Sequence, residues 1–474
     1  MNKFITLIIL LFSCLKGVTQ TDSATLGPDQ FLQIVSRYHP MVRLSTIQIE
    51  RSYAEVQIAR GAFNPILSNN LSNKTFDQAN YYYYVNPNIT IPTWFGIDLS
   101  TGVEYLSGNR FDPTETVGQS SYIGLNVPLI KNLLIDKRRA YLKQAQLFTE
   151  MAVTEQQIVI NDILQEAISQ YWEWANAYLG YEIVLKTYYN SKQRFELVKS
   201  AFLHGERPAL DTTEALIQMQ NLEAQKNESW MQFQNRGIEL SAFLWKEGNT
   251  PYLLPSFVIP GNEWKNENYA QMFILQFDDL INFAQAFHPE IKSYIQKGKI
   301  LEIDKRLKFQ ENLPKLDFKF NHLAKGYNVF DTKGLLFENN FQYGLKFEMP
   351  LLFSQGKGEY KKTKLKIEEN NIARAQKLQS IELKLKKYIN EYNNIKSQME
   401  MQKNILANYQ TMLRAEELLF SNGESSLFLI NSRENKVIES ERKLIDLKTK
   451  YFKVIYAIQW SAGMLNRDRS FELK

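Results

Sequence analysis

The sequence is poor in the residues on which disulfide-linked proteins and metalloproteins depend. Cys14 is the single cysteine, so a mature chain has no framework of internal disulfide bonds. The 4 histidines show no metal-ligand spacing, and neither a glycine-rich phosphate loop nor a nucleophile elbow is present. We therefore expect no enzymatic activity, no catalytic residue, no metal site and no cofactor.

Long apolar runs and dense basic runs are also scarce. After residue 12 the sequence has no run of ~18 apolar residues, so no transmembrane helix is expected there. The formal net charge is only +5, and no cluster of Lys and Arg is dense enough to indicate nucleic-acid binding. No nucleic-acid partner is therefore predicted.

Residues 1–19 have the pattern of a secretory signal peptide. A basic start is followed by an apolar run over residues 4–12, which is too short to span a membrane. Cleavage after Thr19 would produce one mature N-terminus. Alternatively, residues 11–14 resemble a lipobox, and processing there would leave Cys14 as a lipidated N-terminus. Both routes remain open, and both predict export of the chain.

The clearest strand in the sequence is the alternating segment of residues 341–349, FQYGLKFEM. Successive side chains of a strand point to opposite faces, so one face is expected to be apolar and the other wet. The length suits a tilted strand that crosses a bilayer. We therefore predict that lipid contacts Phe341, Tyr343, Leu345 and Phe347, and that a lumen contacts Gln342, Lys346 and Glu348.

The chain runs twice through one plan of elements, in a first repeat over 27–246 and a second over 269–474. Each repeat opens with a helix that contains a His-Pro pair, at His39-Pro40 and at His288-Pro289. Both helices are expected to break or kink near that proline. Residues 247–268, which are rich in proline, link the two repeats as a surface belt.

Each repeat then contains two strand patterns, which predict four strands in the chain. They cover about 95–105 and 123–127 in the first repeat, and about 316–320 and 341–349 in the second. Residues 66–91 are also β-like, but the pattern does not place them. Four strands cannot close a barrel or remove their own edges, so the chain is expected to oligomerise.

Long helices follow the strands in both repeats, over about 134–203 and about 359–421. Apolar residues in the second recur at alternating spacings of three and four, which is typical of coiled-coil packing. Each long helix ends at a Gly-Glu turn, Gly205-Glu206 or Gly423-Glu424. The helix that returns has about half the length, so two short helices stacked end to end match one long helix.

This ordered set of features, which occurs twice, resembles the TolC-type outer-membrane efflux proteins over essentially the whole mature chain. The resemblance rests on the His-Pro helix, the strand that ends in Val-Pro-Leu or Met-Pro-Leu, the long helix, the Gly-Glu turn and the returning helix. It implies a mainly α-helical fold with transmembrane β-structure. The helical hairpins would form a periplasmic tunnel, and four strands per chain would enter a trimeric, 12-stranded outer-membrane barrel.

The resemblance also implies a function, a location and partners. The protein would be a passive conduit in a tripartite efflux or type I secretion system, in the outer membrane of a Gram-negative bacterium and extending into the periplasm. Its partners would be two further copies of the chain in a homotrimer, outer-membrane lipid, a periplasmic adaptor (membrane fusion) protein and an inner-membrane pump.

In the resembling family the two Gly-Glu turns contact the adaptor, which assigns that role to Gly205, Glu206, Gly423 and Glu424. The family also holds its entrance shut with a basic and an acidic residue after the second turn. Here those charges follow only the first turn, as Arg207 and Asp211. Two interpretations stay open: these residues form an entrance gate, or Asp211 simply caps the returning helix.

Two other classes of protein remain as alternatives. A secreted coiled-coil protein with a small sheet domain would account for the spacing of apolar residues in the long helices, but not for strands with an uninterrupted apolar face. A periplasmic adaptor also contains a helical hairpin. An adaptor would, however, have one hairpin and more compact β-domains, whereas this sequence predicts two long hairpins.

Overall fold

The computed structural model describes residues 24–108, 116–262, 277–330 and 337–465. The expected signal peptide and Cys14 lie outside these ranges, so lipidation of Cys14 stays a prediction. The described helices are α1 (Pro28–Tyr38), α2 (Pro40–Gly61), α3 (Lys137–Leu203), α4 (Ala209–Leu240), α5 (Phe277–Phe287), α6 (Pro289–Gln310), α7 (Ser354–Ser421) and α8 (Leu427–Ser461). None of them is both long and apolar enough to cross a membrane.

The described strands comprise six long ones and four short ones. The long strands are β2 (Ile66–Phe76), β3 (Ala79–Pro92), β4 (Asp98–Ser107), β5 (Gly118–Pro128), β9 (Lys315–Lys325) and β10 (Phe341–Glu348). The short strands, of two residues each, are β1 (Thr25–Leu26), β6 (Trp245–Lys246), β7 (Thr250–Pro251) and β8 (Ile259–Pro260). They pair as β1 with β8 and as β6 with β7.

The described residues form two compact units, and each unit takes segments from both predicted repeats. Unit 1 comprises the described parts of Met1–Arg43, Val159–Ala286 and Ile381–Lys474. Unit 2 comprises the described parts of Leu44–Ile158 and Phe287–Ser380. The long helices α3 and α7 therefore each contribute to both units.

The His-Pro pairs break the first helices, as their sequence predicts. In each pair the proline occupies the first position of a helix, and the histidine before it has extended backbone. His39 Nδ1 accepts from the backbone N–H of Met41 (3.3 Å), and His288 Nδ1 accepts from that of Glu290 (3.2 Å). Burial lowers the pKa of His39, which Glu166 partly offsets, and a neutral ring can accept in this way. Both histidines thus act as helix caps.

Unit 1 has an aromatic core. Tyr171 lies at its centre, with ring centroids 5.6 Å from Phe31 and 5.7 Å from Trp174. Trp174 in turn stacks on Phe233 (5.9 Å). The Tyr171 hydroxyl donates to the carbonyl oxygen of Leu26 (2.8 Å), so this buried phenol has its polar partner. The core therefore joins helices α1, α3 and α4.

Unit 2 contains the sheet, whose strand order is β10-β9-β5-β4-β3-β2, with every neighbouring pair antiparallel. The sheet has six strands rather than the four expected from the sequence. The additional pair is the hairpin β2–β3, which lies in the stretch 66–91 that the sequence pattern does not place. Its turn consists of Asp77 and Gln78, both with positive φ (53° and 62°).

Several helix boundaries differ from those expected. Helix α3 begins at Lys137 rather than about 134, because Asp136 caps it through the backbone N–H of Arg139 (2.8 Å). Helix α4 ends at Leu240, before the expected end of the first repeat at 246, and a 3₁₀ turn then leads into β6. Helix α7 begins at Ser354 and includes Gly356. A Cβ there would lie 2.9 Å from the Glu311 carbonyl oxygen, so glycine permits a close approach of backbones.

Candidate functional site

The two Gly-Glu turns in unit 1 have the same hydrogen-bonding geometry. Gly205 has φ +76° and Gly423 has φ +81°, the left-handed region that favours glycine. Each glycine N–H and the following glutamate N–H donate back into the last turn of the long helix, at 2.9 to 3.1 Å. This is the Schellman arrangement, in which the C-terminal carbonyl groups of a helix are satisfied by the chain that leaves it.

The predicted contact residues in both turns are exposed, and exposed apolar side chains flank them. Gly205, Glu206, Gly423 and Glu424 are all exposed. Four neighbouring side chains have exposed fractions of 67 to 74%: Leu203, Leu210, Leu418 and Phe428. Sequence reasoning missed these four because an apolar residue in a helix is ordinarily read as core. Together the turns and these side chains form an apolar and acidic surface, called the tip surface below.

Arg207 connects the first turn to the second. Its Nη2 donates to the Phe420 carbonyl oxygen (3.1 Å), and its guanidinium lies 4.1 Å from the centroid of the Phe420 ring. Phe420 lies in the last turn of α7, where a cation is also favoured by the helix dipole. The two turns are therefore held together by a side chain that the sequence offered only as a gate residue.

Asp211 pairs with Arg207 within the same chain. The Asp211 carboxylate lies 3.6 Å from Arg207 Nη1, and the two side chains are 21% and 25% exposed. The N-cap of α4 is Pro208, so Asp211 lies in the first turn of the helix and is not its capping residue. The interpretation of Asp211 as a cap is therefore wrong. The helix dipole nonetheless favours an acidic side chain in the first turn.

The second turn is held by different partners. Ser426 caps α8 and accepts from the backbone N–H of Leu429 (3.4 Å). The Ser425 hydroxyl donates to the Glu416 carboxylate, which also lies 3.8 Å from Arg433 Nε. These contacts, which include the ion pair of Glu416 with Arg433, tie the second turn to α7 and α8.

A buried ion pair lies further along the same helices. Arg194 donates from both terminal nitrogens to the two carboxylate oxygens of Glu434, at 3.0 and 3.1 Å. The side chains are only 15% and 6% exposed. Arg194 also lies 3.4 Å from the amide oxygen of Asn431. This bidentate geometry joins α3 to α8.

A groove of about 510 Å³ separates α3 and α8 nearby, lined by Ile183, Lys186, Leu406, Glu441 and Leu444 among others. Burial raises the pKa of the Glu441 carboxyl, and Lys186 and a hydrogen bond from Gln410 oppose the shift. An ionised carboxylate is therefore less favourable in the folded chain than in the unfolded chain.

The raised pKa of Glu441 predicts a pH effect on stability. Below the ordinary glutamate pKa, the Glu441 carboxyl is protonated in both the folded and the unfolded chain, and its contribution to the stability of the fold is fully present. As the pH rises from there through the raised pKa, that contribution is lost. We expect Glu441→Gln to raise the melting temperature at pH 7 and to have little effect near pH 4. Glu439→Gln, at an exposed position of the same helix, is the control; a similar gain there would contradict this reasoning.

The sheet of unit 2 has one mainly apolar and one mainly polar face across its six described strands. The register places on one face the apolar residues Leu67, Leu71, Val85, Ile89, Ile91, Leu99, Val103, Tyr105, Ile123, Leu125, Leu316, Phe318, Phe320, Phe341, Tyr343, Leu345 and Phe347. The side chains predicted to contact lipid therefore share one face, and Gln342, Lys346 and Glu348 lie on the other.

The polar face carries a chain of side-chain hydrogen bonds from β2 to β5. Ser68 donates to Asn88 (2.8 Å), and Asn88 donates to Asn86 (3.1 Å). Asn86 and Ser120 both donate to the Glu104 carboxylate, at 2.9 and 3.3 Å. These polar groups are hydrogen-bonded to one another across the strands. This face therefore has the composition expected of a surface that contacts water.

Among the described residues, no group of three or more His, Cys, Asp and Glu side chains could hold a metal ion. Sequence reasoning also missed Phe420, Glu434 and Glu416. Arg194 and Glu434 are 240 residues apart, and Arg207 and Phe420 are 213 apart. No local pattern indicates such partners.

Comparison with known proteins gives structural relatives but no sequence relative. No protein-family model and no curated protein sequence matches the chain. The Campylobacter jejuni outer membrane channel CmeC has a TM-score of 0.60 at 13% identity, covering 92% of this chain and 85% of that chain. The outer membrane protein VceC of Vibrio cholerae gives 0.60 at 12% identity, covering 92% and 96%.

The outer membrane channel MtrE of Neisseria gonorrhoeae, solved in its open state, gives a TM-score of 0.62 at 11% identity, covering 94% of this chain and 93% of that chain. Each comparison spans nearly the full length of both chains. At such low identity these likenesses report the arrangement of the backbone alone. The chain has the fold of the TolC-type outer-membrane channels.

Proposed function

We propose that the protein is an outer-membrane channel that extends into the periplasm of a Gram-negative bacterium. It would be the passive conduit of a tripartite efflux or type I secretion system. The observation that carries the proposal is the two-faced sheet: its apolar face suits lipid and its hydrogen-bonded polar face suits a wet lumen. The fold shared with two outer membrane channels and with the outer membrane protein VceC supports it.

The proposed channel is a homotrimer built from a duplicated chain. The recurrence of a helix broken at His-Pro, strands, a long helix and a returning helix supports repeats at 27–246 and 269–474, joined by 247–268. Helix α4 also exposes a stripe of apolar side chains whose spacings are multiples of seven residues. Their exposed fractions are 53 to 74%: Leu210, Ile217, Met231 and Ile238. A stripe of this spacing is typical of a helix that packs against another helix.

A charge in this stripe tests the assembly. We expect wild-type protein extracted in detergent to be a trimer by native mass spectrometry and to conduct ions in a planar bilayer. Ile217→Glu places a carboxylate in the stripe, and we expect it to shift the protein toward monomer. Gln225→Glu, also exposed and about 80° around the helix from Ile217, adds the same charge outside the stripe. A stable wild-type monomer that forms a closed barrel would overturn the proposed assembly.

We propose the tip surface as the contact for a periplasmic adaptor protein, which in turn binds an inner-membrane pump. The support is its composition: Gly205, Glu206, Gly423 and Glu424 are exposed, and exposed leucine and phenylalanine side chains surround them. Exposed apolar side chains rimmed by polar groups are typical of protein-binding surfaces.

We propose that Arg207 and Asp211 stabilise a closed entrance. Arg207 bridges the two turns of one chain, so its loss would free the tips to move apart. An ion pair near the surface contributes only ~0–1 kcal/mol, but three copies in a trimer would multiply the effect. We expect Arg207→Ala, Asp211→Ala to raise the resting conductance in a planar bilayer. Arg207→Lys, which keeps the charge, is the control; unchanged conductance of the double variant, with lower thermal stability, would leave the pair as a purely structural tether.

A further inference from the structure

The hairpin β2–β3 is part of the sheet and not a separate structure beside it. It pairs with the outer edge of β4 from Pro92 opposite Asp98 to Tyr83 opposite Ser107. Since β3 pairs with that edge, β4 has no free edge at which to pair with another copy of the chain. In the family that the sequence resembles, each chain contributes four strands to the barrel, which would make β4 the edge here.

Both faces of the sheet continue into the hairpin. On the apolar face, Leu71 lies opposite Val85, which lies opposite Tyr105 of β4. On the polar face, the hydrogen bond from Ser68 to Asn88 continues the network around Glu104. A hairpin that folded away from the wall would not need to maintain the alternation of its neighbours.

Among the described strands of this sheet, β2 and β10 each pair with one neighbour, and they are suited to pair with each other between copies. All neighbouring strands are antiparallel and the sheet has six strands, so β2 and β10 run in opposite directions. β2 is 11 residues long and β10 is 8 residues long. Six strands are too few for one chain to close its own membrane barrel, since the smallest known have about eight.

We propose that β2 of one chain pairs with β10 of the next, so that each copy contributes six strands to the barrel. This inference rests on the proposed trimeric channel. Three copies would then enclose an eighteen-stranded barrel. With strands about 4.8 Å apart and tilted by about 40°, its diameter would be about 36 Å, against about 24 Å for twelve strands. The diameter of the barrel would thus be about 1.5 times that of the twelve-stranded barrel expected from the sequence.

Paired cysteines on the apolar face distinguish the two edges. Tyr343→Cys in β10 is combined with one cysteine in β2, or with one in β4 as the matched control. Three positions are used in each strand because the register between chains is not known in advance: Leu67, Asn69 and Leu71 in β2, and Leu99, Thr101 and Val103 in β4. The full-length variants are treated in membranes with a short bifunctional thiol reagent and separated by denaturing electrophoresis, with each single-cysteine variant as background.

We expect at least one β2–β10 combination to give covalent dimers and trimers, and the β4–β10 combinations to stay monomeric. Cross-linked oligomers from β4–β10, a cross-link within one chain from β2–β10, or no cross-link from either set would overturn the inference. Native mass spectrometry and bilayer conductance of the same preparations test the channel separately. A conducting trimer without β2–β10 cross-links rejects only the six-stranded contribution, whereas a non-conducting monomer rejects the proposed function as well.

Discussion

Replacing Glu434 by glutamine is expected to lower the free energy of unfolding by about 3–5 kcal/mol. The Glu434 carboxylate is 6% exposed and receives two hydrogen bonds from Arg194. Without the carboxylate, the guanidinium charge stays buried with no opposite charge to compensate its lost hydration. The loss should appear as an earlier transition in the helical circular dichroism when the detergent-extracted protein is titrated with urea.

Two further variants separate this cost from a general effect of removing charge. Glu439→Gln breaks the ion pair of Glu439 with Lys436 on the same helix. These two side chains are 67% and 50% exposed, so the variant should lower the free energy of unfolding by no more than about 1 kcal/mol. Replacing both partners, Arg194→Met with Glu434→Leu, leaves no buried charge and should recover most of the loss. Equal losses for Glu434→Gln and Glu439→Gln, or no recovery in the double variant, would show that the pair is not effectively buried.

A charge on the apolar face of the sheet is expected to have the second large effect. Leu345 is 62% exposed, lies opposite Phe318 and shares its face with Phe347. If this face contacts lipid, Leu345→Arg should destabilise the folded protein by about 2–4 kcal/mol near the bilayer midplane. The measurement is the fraction of heat-resistant, membrane-inserted protein across a series of urea concentrations.

The neighbouring residue is the matched control. Lys346 points to the opposite face, where it pairs with Glu348 at 2.7 Å and is 66% exposed. Lys346→Gln should therefore change the inserted fraction little, because a polar side chain on a wet face remains solvated. Similar effects of Leu345→Arg and Lys346→Gln would mean that the two faces do not meet different solvents, and the proposed membrane location of the sheet would fail.

The local features of this fold could be predicted from the sequence because each depends on residues near in the chain. A proline after His39 or His288 disfavours helical backbone at the histidine, so the break is a property of a few residues. Gly205 and Gly423 end the long helices for a similarly local reason, since glycine adopts positive φ without strain. The faces of β10 follow from strict alternation over its eight residues.

The hairpin β2–β3 shows where local patterns fail. Its turn is Asp77-Gln78, which lacks the glycine that usually signals a two-residue hairpin, although both residues adopt positive φ. The run from Tyr81 to Tyr84 obscures the alternation of β3, and the serines and asparagines of β2 weaken its apolar face. The hairpin is recognised only through its pairing with β4, which supplies the missing context.

By itself, the sequence determined the order of the long helices, the breaks at the two His-Pro pairs and the two faces of its clearest strand, because periodicity and turn residues act over a few positions. Only the tertiary structure decided that the sheet has six strands. It also decided that Arg207 bridges to Phe420 and that Arg194 pairs with Glu434. Each of these depends on segments far apart in the chain, and a charged side chain carries no local sign of which distant partner it will meet when water is excluded.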